Sequence, residues 1–296
     1  MANLTVVNGR WVNLDKPGGQ VFFVGGGSVA YRGKGASDDA NGLSPQNPLA
    51  TIAAALTSTT TGRGDTVVVL PGNVTIAAAL ALSNDDVTLT GVDSNGSINP
   101  SAITVNGAVD GIAVTGANAV IENLHFPAST LTGVTSRIDA GAVGLVVRNN
   151  TIECGQFDLE SITVPAAGDD LLVENNRFYI TANGPDAAIE IESATAERTI
   201  IRNNIFSGDN DTNKWDAGAI NSGAAHIGCL VTDNIFWEGL AVEFTAAATG
   251  IIARNFAGEG ATLGQAFDPG SCMCFENYEA DAVDESGRIF PTGIAI

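Results

Sequence analysis

An all-β fold, a single-stranded right-handed parallel β-helix with a cap helix near its N-terminal end, is what this sequence predicts. Three observations lead there. A short phrase built around Asn returns every 22 to 30 residues after residue 115. Each copy alternates apolar and polar residues as strands do, and each follows a second apolar strand and a turn. Length changes collect on one side of the repeat, between one copy and the next strand.

Residues 1–20 are polar, contain Gly and Asn, and precede the first convincing strand; they read as an arm that orders on a partner, with Trp11 as its large contact residue. Residues 21–65 form a cap region. In it VFFV (Val21 to Val24) is a strand, a Gly-, Ser-, Asp- and Pro-rich stretch runs from Gly25 to Pro48, and LATIAAALTS makes a short helix over 49–58 beside Pro48. A helix there would cover the open edge of the first coil, which a solenoid has to protect. The parallel β-helix is expected over 66–279, opening with TVVVL, VTIAAALAL and DVTLTGV. Over 280–296 the pattern is lost, as in a C-terminal tail or cap.

The copies read VIENLHF (Val120 to Phe126), VVRNNTI (Val146 to Ile152), LVENNRF (Leu172 to Phe178), IIRNNIF (Ile200 to Phe206) and LVTDNIF (Leu230 to Phe236), with weaker echoes at IARNF (Ile252 to Phe256) and FENY (Phe275 to Tyr278). Taking the first Asn or Asp as a marker gives Asn123, Asn149, Asn175, Asn203, Asp233, Asn255 and Asn277, spaced 26, 26, 28, 30, 22 and 22 residues apart. Helical repeats need about 33 to 47 residues and long 3.6-residue periodicity. These copies are short and rich in Val, Ile and Phe, so each coil holds at least two strands.

Stacked in register, equivalent residues lie ~4.8 Å apart, and each alignment column becomes a ladder. The marker column is mainly Asn, whose amide both donates and accepts, and it is read as a structural ladder. Phe126, Ile152, Phe178, Phe206 and Phe236 form an apolar column beside it. The residue before the marker reads Glu122, Arg148, Glu174, Arg202, Thr232, Arg254 and Glu276, so opposite charges alternate from coil to coil. Apposed opposite charges favour this register over one that stacks like charges.

Single β-solenoids commonly run to 296 residues, so one domain is expected. The 35 Gly and 6% aromatic content suit a narrow core and many tight turns. A net charge of −20 disfavours nucleic-acid backbones as partners. Strand parity puts Cys154 and Cys229 on the inward side as thiols, and Cys272 and Cys274 lack the spacing of a zinc or redox pair. The start of the chain carries no signal-peptide pattern and no apolar run of membrane length occurs, so the expectation is synthesis in a cytoplasm with no membrane partner.

The order VFFV, GASDDANGLSPQNPLATIAAAL, GDTVVVLPG and DVTLTGV resembles the opening of pectin-lyase-like right-handed β-helix proteins. More narrowly, GLSPQNPLATI joined to GDTVVVLPGNVTI is similar to β-helix proteins among tailed-bacteriophage virion components. The resemblance implies the fold over Val21 to Val92 and leaves function open, since β-helices host lyases, hydrolases, tailspikes and decorations. With it, the expected role is a non-enzymatic structural protein of a virion, a head decoration or short surface fibre. Such rods associate side by side, so a homotrimer is expected. The arm would then hold major capsid or other virion proteins. The alternative is a tailspike-like glycan depolymerase, or an adhesin of the same fold that binds host surface glycan.

Polysaccharide lyases of this family use calcium held by carboxylates, with an Arg or Lys base, and this sequence departs from that pattern by placing its Arg residues in the charge column. No cofactor is expected. The outward column of the upstream strand reads Ala113, Asp139, Thr163, Glu190, Asn221 and Glu243. Asp139, Glu190 and Glu243 are thus the acids available for catalysis, two coils or about 10 Å apart at the ~4.8 Å spacing, just beyond the range of an inverting carboxylate pair. Asp209, Asp211 and Asn213 match the first three ligands of a calcium loop, but Lys214 and Ile220 stand where Gly and a bidentate Glu belong. Trp215 and Trp237 are candidates for stacking a sugar ring. His125 and His226 lie in different columns, too far apart for a triad or a zinc site.

Overall fold

Three parallel sheets run along the chain, and successive coils add one strand to each. The computed structural model describes residues 4–7, 10–16, 18–25, 35–92, 100–106, 110–128, 134–155, 158–181, 186–208, 215, 217–237, 241–245, 247–258 and 267–279. The candidate calcium ligands Asp209, Asp211 and Asn213 and the tail at 280–296 lie outside these residues. Among the described residues the sheets have ten, nine and eight strands. The first sheet holds the strands before each marker, such as Val146–Arg148, and the second those just after it, such as Thr151–Cys154. The third holds the upstream strands, such as Ile112–Val114 and Ala187–Ile191. The chain is therefore an all-β parallel β-solenoid with three strands to a coil.

Two backbone corners set the coil. Asn118, Gly144, Asp170, Arg198 and Gly228 have positive φ, and five residues later so do Asn123, Asn149, Asn175, Asn203 and Asp233. The left-handed region favours Gly, Asn and Asp, which explains most of both columns. With both corners fixed, the strand between them has constant length and insertions are confined to the other sides of the coil. Inward residues from the three sheets meet in one continuous core that includes Val147, Phe178 and Ile189, all fully buried.

The amide ladder stands one residue beyond the marker. Nδ2 of Asn150 donates to Oδ1 of Asn176 at 3.0 Å, and Nδ2 of Asn176, Asn204, Asn234 and Asn255 donates in turn to Oδ1 of Asn204, Asn234, Asn255 and Asn277 at 2.9–3.1 Å. Each acceptor oxygen also takes the backbone N–H of the donor residue. The marker column supplies the left-handed corner instead, and Asn255 and Asn277 belong to the ladder beside it. In the last two coils the corner residues are Arg254 and Glu276, because Thr232 pairs with Ala253 and Ala253 with Phe275.

The charge column shifts with this correction. Arg148 pairs with Glu122 at 2.8 Å and Arg202 with Glu174 at 2.8 Å, as the alternation predicts. Arg254 sits in the corner column and pairs there with Asp233 at 2.7 Å. The aromatic column stacks as expected: Phe178 and Phe206, and Phe206 and Phe236, have ring centroids 4.8 Å apart and nearly parallel planes.

The N-terminal residues pack on the solenoid. Leu4–Val7 and Arg10–Asn13 form an antiparallel hairpin, Trp11 meets Phe23 edge to face at 5.5 Å, and Nδ2 of Asn13 donates to Oγ1 of Thr66 at 3.0 Å. The reason lies in VFFV and TVVV, which are apolar on both faces: Val21, Phe23, Val68 and Leu70 point away from the core and need a cover. This stretch is thus engaged by the chain itself, Trp11 included. The helix spans Ile52–Ser58, capped by the Thr51 hydroxyl, which accepts from the Ala54 N–H at 3.1 Å. It begins later than expected because Leu49 bridges to Val24 as extended chain. Ile52, Ala55 and Leu56 enter the core.

Candidate functional site

The third sheet carries the acids. Its register aligns Ala113, Asp139, Thr163, Glu190, Asn221, Glu243 and Asp268 in one outward column. Asp139 and Glu190 fall two coils apart, and Glu243 two coils beyond Glu190, as the sequence implies. Asp268 extends the column by one coil, at a strand the repeat did not make visible.

Around Asp139 and Glu190 lies an acidic patch. Glu160, in the strand Asp158–Val164, is about half-buried, and its carboxyl is pushed up to about 7 by burial first and then by Asp186, Glu190, Glu192 and Asp110. Burial also raises Glu190, although the Asn221 side chain and the Gly223 N–H hydrogen-bond to it and oppose the shift. Asp139 is raised by burial, with Asp110 and Glu192 adding repulsion. This face therefore gathers three carboxyls that burial and mutual repulsion push upward, Glu160 the furthest. Glu243 is not among the groups acting on Glu160.

Asp110, Glu160, Asp186 and Glu192 are not visible in the sequence because they enter the patch from three coils and from unlike columns, Asp186 and Glu192 flanking one strand. Glu160 pairs in register with Ser136 and Ala187, so its column shows no repeated acid. Arg137 lies outside the charge column: it is fully buried in the strand Val134–Ala140 and helps hold the Glu153 carboxyl low, after the stronger hydrogen bond from His125 at 2.9 Å. His226 is buried four coils from His125, with Nδ1 2.9 Å from Oγ of Ser222. The four cysteines are free thiols, and burial pushes Cys229 upward and Cys272 up to about 12. Among the described residues, no group of three or more His, Cys, Asp or Glu side chains is arranged to hold a metal ion. No helix among them is long and apolar enough to cross a membrane.

The two tryptophans proposed for sugar stacking part company. Trp215 is 2% exposed and belongs to the core, so it presents no ring to a ligand. Trp237 is 45% exposed on the second sheet, beside a cleft of about 640 Å³ lined by Asn175, Asn203, Arg177, Ile205 and Ser207 among others.

Together the three parallel sheets, left-handed corners and inward amide ladder define a parallel β-solenoid. No protein-family model matches the chain, and no curated protein matches its sequence. Among solved structures it is similar to a rhamnogalacturonan lyase, at 9% identity over 92% of this chain and 90% of that one, with a TM-score of 0.46. It is also similar to a PL6 family alginate lyase, at 14% identity over 77% of this chain and 37% of that one, with a TM-score of 0.42. A third similarity is to ORF18 of Geobacillus virus E2, at 11% identity over 82% of this chain and 61% of that one, with a TM-score of 0.40.

Proposed function

We propose that this chain is a non-enzymatic structural element of a bacteriophage virion surface, a rigid rod that serves as a head decoration or short fibre and assembles as a homotrimer. The observation that carries the reading is the use made of the recurring polar residues: ladder amides and paired Glu and Arg side chains are spent on neighbouring coils, as a rod requires. The GLSPQNPLATI opening, similar to tailed-phage virion components, supports the setting. The test is quantitative mass spectrometry of purified particles together with sedimentation of the isolated protein. Copies per particle in multiples of three and a three-chain mass support the proposal; absence from particles overturns the virion role, and a monomer overturns the trimer.

A second reading rests on Glu160. A carboxyl at about 7 beside Glu190 is a general acid with a neighbouring base, suited to cleaving a glycan laid along the third sheet. Incubation with a panel of bacterial polysaccharides, read by release of reducing ends, decides it. Cleavage that falls at least about 100-fold in both Glu160→Gln and Glu190→Gln supports this reading over the first. Wild-type protein that cleaves nothing removes it.

A further inference from the structure

We infer that the cleft beside Trp237 on the second sheet is an oligosaccharide-binding site, separate from the acidic face of the third sheet. Two outward columns of the second sheet build it. One runs Thr151, Arg177, Ile205 and Ile235, and the other Glu153, Tyr179, Ser207 and Trp237. The small Ser207 stands between the larger Tyr179 and Trp237, one coil from each, and so forms the floor of the depression.

Trp237 is held as a platform. Its ring lies on Gly258, where an added Cβ would meet Cε3 at 2.2 Å, and it meets Phe256 edge to face at 5.5 Å. A large indole fixed in this way and 45% exposed offers a flat apolar surface of the kind on which the C–H face of a sugar ring stacks.

Arg177 is the second feature. The other exposed guanidinium groups described, on Arg148, Arg198, Arg202 and Arg254, each ion-pair with a carboxylate. Arg177 instead lies 5.7 Å from the centroid of the Tyr179 ring, and it lines the cleft with its donors available in a chain of net charge −20. The exposed corner residues Asn175 and Asn203 add amides along the rim. A planar five-donor fork, side-chain amides and one aromatic platform are the complement of a polyhydroxylated ring, which presents oxygen acceptors around its edge and an apolar face. The volume of about 640 Å³ suits a short oligosaccharide.

The experiment is binding of the purified full-length protein to an array of defined bacterial surface oligosaccharides, neutral and carboxylated, followed by calorimetric titration of the best ligand. Binding is expected to weaken about tenfold in Trp237→Ala, the loss of one ring contact, and comparably in Arg177→Ala. Trp237→Tyr should retain most of the affinity. Gly258→Ala keeps the indole but displaces it, and should weaken binding without removing the ring. Asp268→Asn, on the third sheet, should bind as wild type. An array without a bound glycan overturns the inference, as does binding indifferent to both Trp237→Ala and Arg177→Ala. A change of oligomeric state in Trp237→Ala overturns it too, by assigning this face to a second copy of the chain. The readout needs no particle, so it stands or falls separately from the virion role.

Discussion

Asn176 gives both its backbone N–H and its Nδ2–H to one atom, Oδ1 of Asn204, at 2.9 and 3.1 Å. Asn204 repeats the arrangement with Asn234 and also donates to the Val173 carbonyl at 2.9 Å. One side chain per coil therefore satisfies backbone groups that a sharp corner inside the wall would leave bare.

Replacing Asn204 by Ala strands the amide of Asn176 and the carbonyl of Val173. Buried groups left unsatisfied cost about 1–3 kcal/mol each, so a loss of about 3 kcal/mol is expected after relaxation. Asn203→Gly, one residue earlier at φ 55, should cost less than about 1 kcal/mol because Gly adopts that corner freely. Urea unfolding followed by circular dichroism compares them, and equal losses would refute the assignment of ladder and corner to separate columns.

Phe206 is stacked on both faces, against Phe178 and Phe236. Phe206→Ala should destabilise by about 3–5 kcal/mol through the cavity it leaves, and Phe206→Leu by distinctly less. Thermal and urea unfolding of the two variants measure the difference.

The two kinds of ion pair should respond differently. Glu122 is 1% exposed, so Arg148→Met removes the paired guanidinium from a buried carboxylate, at an expected cost of about 1–2 kcal/mol given that Arg148 itself is partly in solvent and Lys16 also acts on Glu122. Arg254→Ala breaks a surface pair and should leave the melting temperature nearly unchanged. Repeating both melts in high salt should erase any Arg254 effect and preserve the one at Arg148.

The acidic patch gives stability a pH dependence. Glu160 has a folded value of about 7 against an ordinary 4.5, so between these values the native state holds more protons than the unfolded state and stability falls as pH rises. The penalty is fully present above about 7 and absent below about 4.5. Glu160→Gln should therefore be more stable than wild type at pH 8, by about 1 kcal/mol once screening of a half-exposed group is counted, and equal to it near pH 4. An advantage that grows on acidification would contradict this.

The fold was legible because a stack repeats its environment. The same corner, core position and strand recur coil after coil, so Phe178, Phe206 and Phe236 align in sequence as they do in space. The candidate site was legible only where it shared that repetition, as the column of Asp139, Glu190 and Glu243 did. Glu160 escaped because its in-register neighbours are Ser136 and Ala187, and no repeated letter marks a patch gathered from unlike columns.

By itself, then, the sequence determined the period, the parallel stacking, the inward Phe column and the side of the coil on which length can change, since these follow from residue type at fixed intervals. The tertiary structure decided which Asn of each pair turns the corner and which bonds to the next coil. Both residues are Asn in three successive copies, and only φ and the hydrogen-bond partners distinguish them. It also decided that Trp215 is buried while Trp237 faces a cleft, and that Asp186, Glu190, Glu192 and Asp110 all act on Glu160. Burial and mutual charge depend on distances across coils, which loops of unequal length set and no linear spacing encodes.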